Sequence, residues 1–174
     1  MIGHVSWFRR IVDTSIPLLL ARVFLAAIFL YMGSMKIGDP FVFLKQVRQF
    51  EMLPESPPIY LNATAIVLPW LEIITGVALL IGLRFRGAAA AIVLMLLVFT
   101  PAILIRALHI QAEKGISFFD VAFDCGCGSG VVVIWTKLLG NVGLLILALG
   151  ILLSRSNRFS LTAWFNPHPS IAAA

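Results

Sequence analysis

Four long apolar runs, separated by short polar stretches, dominate the chain. Residues 16–35 are apolar apart from Arg22 and two small residues near the end, and residues 59–83 are interrupted at Asn62, Pro69 and Glu72. Residues 88–105 (AAAAIVLMLLVFTPAILI) contain no charge, whereas residues 131–153 carry Lys137 within the first two turns, where its stem can snorkel toward the headgroups. About 20 residues at 1.5 Å per residue cross a hydrocarbon core about 30 Å thick. The pattern therefore predicts four transmembrane helices, the third extending past Arg106 to Lys114, where Gly115 ends it. Arg9 and Arg10 precede the first run as they would in a secretion signal, but the run is longer than a signal's apolar core, carries Arg22 and is followed by no A-x-A site. It reads as a retained span.

Between the first two runs, GDPFVFLKQVRQFEMLP has an amphipathic pattern. Asp39 is a candidate N-cap and Pro40 suits the first helical position. Phe43, Val47 and Phe50 recur on one face, while Lys45, Gln46, Arg48 and Gln49 fall on others. This spacing predicts a short helix lying in the membrane interface, stopped at Leu53-Pro54 before PESPP turns the chain back. Trp164 and Phe165 in the tail suit an interface as well.

Composition fixes the class. Of 174 residues, 60% are hydrophobic and only 12% charged, and the mean hydropathy is +1.01, outside the range of soluble globular domains. The expected fold is an all-α integral membrane protein: a four-transmembrane-helix bundle with a short amphipathic interfacial helix between spans 1 and 2, the whole chain forming a single membrane domain. Membrane lipid is its first partner, and nothing in the chain calls for nucleic acid.

With four spans, both termini and the 84–87 turn share one side, which carries Arg9, Arg10, Arg84, Arg86, Arg155 and Arg158. Lys36, Lys45, Arg48, Arg106, Lys114 and Lys137 lie on the other, a tie in number. The first set is denser and flanks the spans more closely, so it is expected inside. Six of the eight acidic residues lean toward the second side. The expected orientation has cytoplasmic termini and places the loop after the third span outside, in an oxidising compartment.

That loop holds the only two cysteines, Cys125 and Cys127, in FDCGCGSG. A Cys-x-Cys pair can close into a small ring whose geometry departs from the relaxed disulfide, which makes the bond easier to reduce, and Gly126 permits the bend. Such a bond suits electron exchange better than reinforcement. Inert thiols, a local structural bridge and a Cu(I) site stay open as alternatives. A structural zinc site needs four ligands, and His4, His109 and His168 share no ligand spacing with each other or with the cysteines, so no metal centre is expected. Asp124 disfavours a thiolate at Cys125 when ionised, with Arg106 or Lys137 as candidate compensating charges.

Arg22 lies about two turns into the first span and Glu72 near the middle of the second. Their depths differ by roughly 7–8 Å at 1.5 Å per residue, which brings an Arg22–Glu72 pair within reach. Either charge alone would cost at least about 2.5 kcal/mol at the bilayer centre. The pair would fix the register of two spans or serve a proton or ligand. Gly76 and Gly82 in the second span, and Gly140, Gly143 and Gly150 in the fourth, are expected to serve close helix packing.

The ordered set of Arg22, FLYMGSMK ending at Lys36, PWLEIITGVALLIG with Glu72, and DCGCG after the third run resembles the DoxX-like membrane proteins, in particular their MauE (methylamine-utilisation) branch, over about residues 17–150. The set departs from that branch after Cys-Gly-Cys, where Gly128 and Ser129 replace an aromatic residue and glycine. The resemblance implies a multi-pass protein of the bacterial inner membrane linked to thiol-disulfide or quinone-coupled redox chemistry. Cys125 and Cys127 would then be the catalytic pair, passing electrons to an external protein partner, with quinone a candidate at the other end. Arg22, Lys36 and Glu72, with Arg106 and Asp124, would form a charge network in the bundle interior or a pocket. A different class fits the same small chain and its aromatic loop (Phe118, Phe119, Phe123): a non-catalytic accessory or structural subunit of a larger membrane redox or energy-converting complex.

Overall fold

The structure, a computed structural model, describes residues 15–126 and 130–154. Its elements in chain order are the helices α1 (Ser15–Gly38), α2 (Pro40–Gln49), α3 (Ile59–Ile81) and α4 (Phe85–Lys114), a hairpin of β1 (Ala122–Asp124) and β2 (Val131–Val133), and helix α5 (Ile134–Leu153). Helices α1, α3, α4 and α5 are each long and apolar enough to cross a membrane. The fold is thus the expected all-α membrane bundle. Arg9, Arg10, Arg155, Arg158, Trp164 and Phe165 lie outside the described residues.

Local chemistry sets the element ends. Asp39 caps α2, its Oδ1 accepting from the Val42 N–H at 3.1 Å with Pro40 in the first turn. Gly82 (φ 75°) and Gly115 (φ 62°) end α3 and α4 in the left-handed region that a side chain resists, and the Gly115 N–H closes on the Gln111 carbonyl at 2.9 Å. Pro69 and Pro101 sit inside their helices without ending them. The fourth span starts later than its apolar run. Val131, Val132 and Val133 are β-branched, and they pair antiparallel with Asp124, Phe123 and Ala122 instead of opening α5.

Burial runs inside out relative to a soluble protein. Leu20, Ile66, Leu94 and Ile146 face outward, while Arg22, Lys36, Glu72 and Asn141 are buried. Lipid can solvate the first group and cannot solvate the second. The helices associate chiefly as α1 with α3 and α4 with α5, around a core that includes Leu25, Ala26, Phe29, Leu79, Ile92 and Ala148.

Two glycines set the α1–α3 approach. A Cβ at Gly33 would lie 2.9 Å from Ile73 and 3.0 Å from the Pro69 carbonyl oxygen, and one at Gly76 would lie 2.9 Å from Leu30. Gly76 packs as expected, and Gly33 joins it. Gly140, Gly143 and Gly150 do not: a Cβ at each would meet open space among the described residues. Gly82 serves the end of α3.

Candidate functional site

Near the end of the bundle where α1 stops and α3 begins lies an apolar cavity of about 310 Å³. Helix α1 contributes Phe29, Met32 and Lys36, α3 contributes Leu68 and Glu72, α4 contributes Leu96, Phe99 and Ile103, and α5 contributes Asn141. Phe43 and Val47 of α2 line it too, and so does Cys125. The interfacial helix therefore does more than rest on lipid. Its apolar face turns into the bundle, with Phe43 buried and the Phe41 ring outside.

The cysteine loop is tied to that helix. Asp124 Oδ2 accepts from Gln46 Nε2 at 2.7 Å and its Oδ1 accepts from the Gly126 N–H at 3.0 Å. Gly126 has φ 74°, and a Cβ there would stand 3.1 Å from both Gln46 Oε1 and the Phe43 ring. Only glycine meets both conditions. Phe123 stacks edge-on against Phe50, with ring centroids 6.0 Å apart. Cys125 follows β1 directly and is 8% exposed, packed with Ile103, Ala107, Val121 and Ile134. The sequence put both thiols in the loop after the third span without fixing their exposure; the hairpin and α2 bury the first of them. Cys127 lies outside the described residues.

The charges pair differently from the expected Arg22–Glu72 contact. Lys36 Nζ donates to Glu72 Oε1 in a buried ion pair and sits 5.1 Å from the centroid of the Phe43 ring. Glu72 Oε2 is buried with no hydrogen-bond partner among the described residues. Arg22 donates through Nε and Nη2 to the Leu79 carbonyl at 3.3 and 3.1 Å, and its guanidinium lies 4.8 Å from the Phe85 ring centroid. Register explains the exchange of partners. In the antiparallel α1–α3 pair, the close approaches of Gly33 to Pro69 and of Gly76 to Ala26 and Leu30 bring Lys36 level with Glu72. Arg22 falls level with Leu79, seven residues or about 10 Å farther along α3 at 1.5 Å per residue.

Arg106 does not compensate Asp124 either. Its Nη1 donates to Glu51 Oε2 at 2.7 Å, joining α4 to the segment after α2. Arg48 holds Glu55 through two bonds of 2.7 Å, and hydrogen bonding first, then charge, keeps the Glu55 carboxyl below its ordinary range. Sequence reasoning missed Gln46 and Asn141, whose Nδ2 donates to Thr100 Oγ1 at 3.3 Å. An asparagine inside an apolar run was the available signal for the latter.

Comparison with known proteins follows the same outline. The family model described as "Methylamine utilisation protein MauE" matches residues 14–154. The "Methylamine utilization protein MauE" of Paracoccus denitrificans is 32% identical over 133 residues, which cover 75% of this chain and 65% of that relative. The match thus spans a little under two thirds of the relative's length. No solved structure matches the chain.

Proposed function

This chain belongs to the MauE family, and we propose that it is a thiol-disulfide redox protein of the bacterial inner membrane in which Cys125 and Cys127 exchange electrons with a protein thiol on the outer side. The observation that carries this reading is the position of Cys125. It sits at the wall of an apolar intramembrane cavity, next in sequence to a glycine whose side-chain-free backbone lets the loop close on α2. A purely structural bridge has no use for such a cavity. The Paracoccus relative is named for methylamine utilisation, and we extend that setting to the partner of this chain.

Burial divides the labour between the thiols. A protein partner cannot approach a residue that is 8% exposed, so exchange with the partner falls to Cys127: its thiolate attacks a partner disulfide, one partner sulfur leaves as a thiol, and Cys125 then attacks the mixed disulfide, which closes the Cys125–Cys127 bond and releases the partner as a dithiol. Thiol-disulfide exchange requires access to the attacked sulfur. In the full-length protein, Cys125→Ser is therefore expected to trap a partner on Cys127 as a mixed disulfide visible on non-reducing gels, while Cys127→Ser traps none. Equilibration in glutathione buffers, read by mass-shifting alkylation, should show the wild-type pair cycling. If both cysteines can be changed to serine with the partner assembly and its activity intact, the redox reading falls and the chain is an accessory subunit.

A further inference from the structure

We propose that the cavity bounded by α1, α3 and α4 is a binding site for an uncharged single-chain lipid that ends in a hydroxyl group, of the class of a long-chain alcohol or a monoacylglycerol. The site stands independently of the thiol chemistry proposed above.

The way in is apolar. Val98 lines the cavity while 59% exposed on α4, and Met52 lines it from the exposed segment after α2. The cavity thus reaches the lipid-facing surface of the bundle on one side and the level of the interfacial helix on another. An occupant comes from the bilayer, which excludes sugars, nucleotides and peptides, because their unpaired polar groups do not enter hydrocarbon. The volume of about 310 Å³ lies at the lower end of the range for small-molecule sites. It suits a small head on one chain rather than a two-chain lipid.

The polar groups select the head. Of the polar side chains in the wall, Thr64 donates through Oγ1 to the Tyr60 carbonyl of its own helix at 2.8 Å, and Asn141 Nδ2 is used on Thr100. Lys36 and Glu72 have capacity to spare. Lys36 spends one of its three N–H donors on Glu72 Oε1. Glu72 is 1% exposed, and its Oε2 has no hydrogen-bond partner among the described residues, a state that costs free energy until a donor reaches it.

Three conditions follow for the head. It donates to Glu72 Oε2, it accepts from Lys36 Nζ, and it carries no charge, because Lys36 and Glu72 already neutralise each other and a further ion would be buried without a counter-charge. An alcohol oxygen meets all three with one atom. Its O–H donates to Oε2 while a lone pair accepts from Nζ. An ether or ester accepts but cannot donate, an ammonium donates but brings a charge, and a fatty acid ionised at neutral pH sets a second carboxylate beside Glu72. A bare hydrocarbon chain fills the space and satisfies neither group.

The test uses the full chain in lipid nanodiscs with a diazirine-bearing dodecanol as the probe, crosslinked by light and mapped by peptide mass spectrometry. Saturable crosslinks to cavity-lining segments of α1, α3 or α4 are expected. Dodecanol should displace the probe about tenfold or more better than dodecyl methyl ether, which differs by the lost donor to a charged group. Ala102→Phe, which puts a ring into the cavity wall, should reduce crosslinking about tenfold or more. The double variant Lys36→Met with Glu72→Leu removes both charges together and so spares the fold, and in it alcohol and ether should compete equally. Equal competition in the wild type would reduce the cavity to a slot for hydrocarbon and overturn the assignment. Crosslinks that do not saturate, or that fall outside the cavity-lining segments, would overturn it too. Dodecanoate displacing the probe better than dodecanol at neutral pH would make this a site for an anionic lipid instead. A preference for the alcohol that persists in the double variant would take the head away from Lys36 and Glu72. All of these outcomes are separate from thiol cycling in glutathione buffer, so this site and the redox reading stand or fall apart.

Discussion

Lys36 and Glu72 decide most about the interior of this bundle, because each makes the other tolerable in hydrocarbon. Removing one leaves an uncompensated buried charge, whereas removing both leaves none. Glu72→Gln is accordingly expected to lower stability by about 3–5 kcal/mol, measured by denaturant titration in mixed micelles. Lys36→Met combined with Glu72→Leu should lose much less than the sum of the two singles, the mark of direct coupling. A strictly additive double would mean that the ion pair contributes nothing in the membrane. At Gly126 the constraint is conformational. A side chain there adopts left-handed backbone at roughly 1–2 kcal/mol and presses on Gln46 and Phe43. Gly126→Ala should therefore loosen the loop from α2, and maleimide should modify Cys125 several-fold faster in a Cys127→Ser background.

At the level of elements, the α1–α3 contact is the joint on which the site depends. It sets the register that pairs Lys36 with Glu72 and leaves Arg22 to the carbonyl of Leu79. Gly33→Ala pushes a methyl against Ile73 and the Pro69 carbonyl, and overpacking of this kind costs typically about 1–3 kcal/mol. Gly140→Ala meets open space, so it should be neutral or slightly stabilising through helix propensity. Thermal unfolding of the two purified variants beside the wild type checks the contrast; equal losses would show that the α1–α3 crossing is not as tight as described. The hairpin is the second joint. By taking Val131–Val133 out of the fourth span, it holds Cys125 at the bundle end and brings Phe123 against Phe50.

For the whole molecule, lipid-facing aliphatic surface around a charged interior fits a multi-pass membrane protein. Orientation is the remaining global property, and we propose it from arginine density: the turn at Leu83 and Arg84 inside, the loop with Phe119 outside. Both Leu83 and Phe119 are at least half exposed, so each can carry a reporter thiol. In a background with Cys125 and Cys127 changed to serine, Phe119→Cys should react with a membrane-impermeant maleimide in intact cells, and Leu83→Cys only after permeabilisation. The reverse pattern would invert the molecule and move the cysteine loop into a reducing compartment.

The four spans, the interfacial helix with its Asp39 cap and the glycine ends of α3 and α4 were all legible in the sequence, because each depends on neighbours along the chain. Apolar run length, a cap three residues from its donor and a glycine after the last turn are local signals. The burial of Cys125 was not legible, since it depends on β2 and on α2, whose Gln46 bonds Asp124 from 78 residues away. Nor was the partner of Glu72. Arg22 and Lys36 lie on the same helix and offer the same charge, and a side chain alone does not say which comes level with Glu72. That choice was made by two glycines on different helices, where backbones approach too closely for any other register to pack.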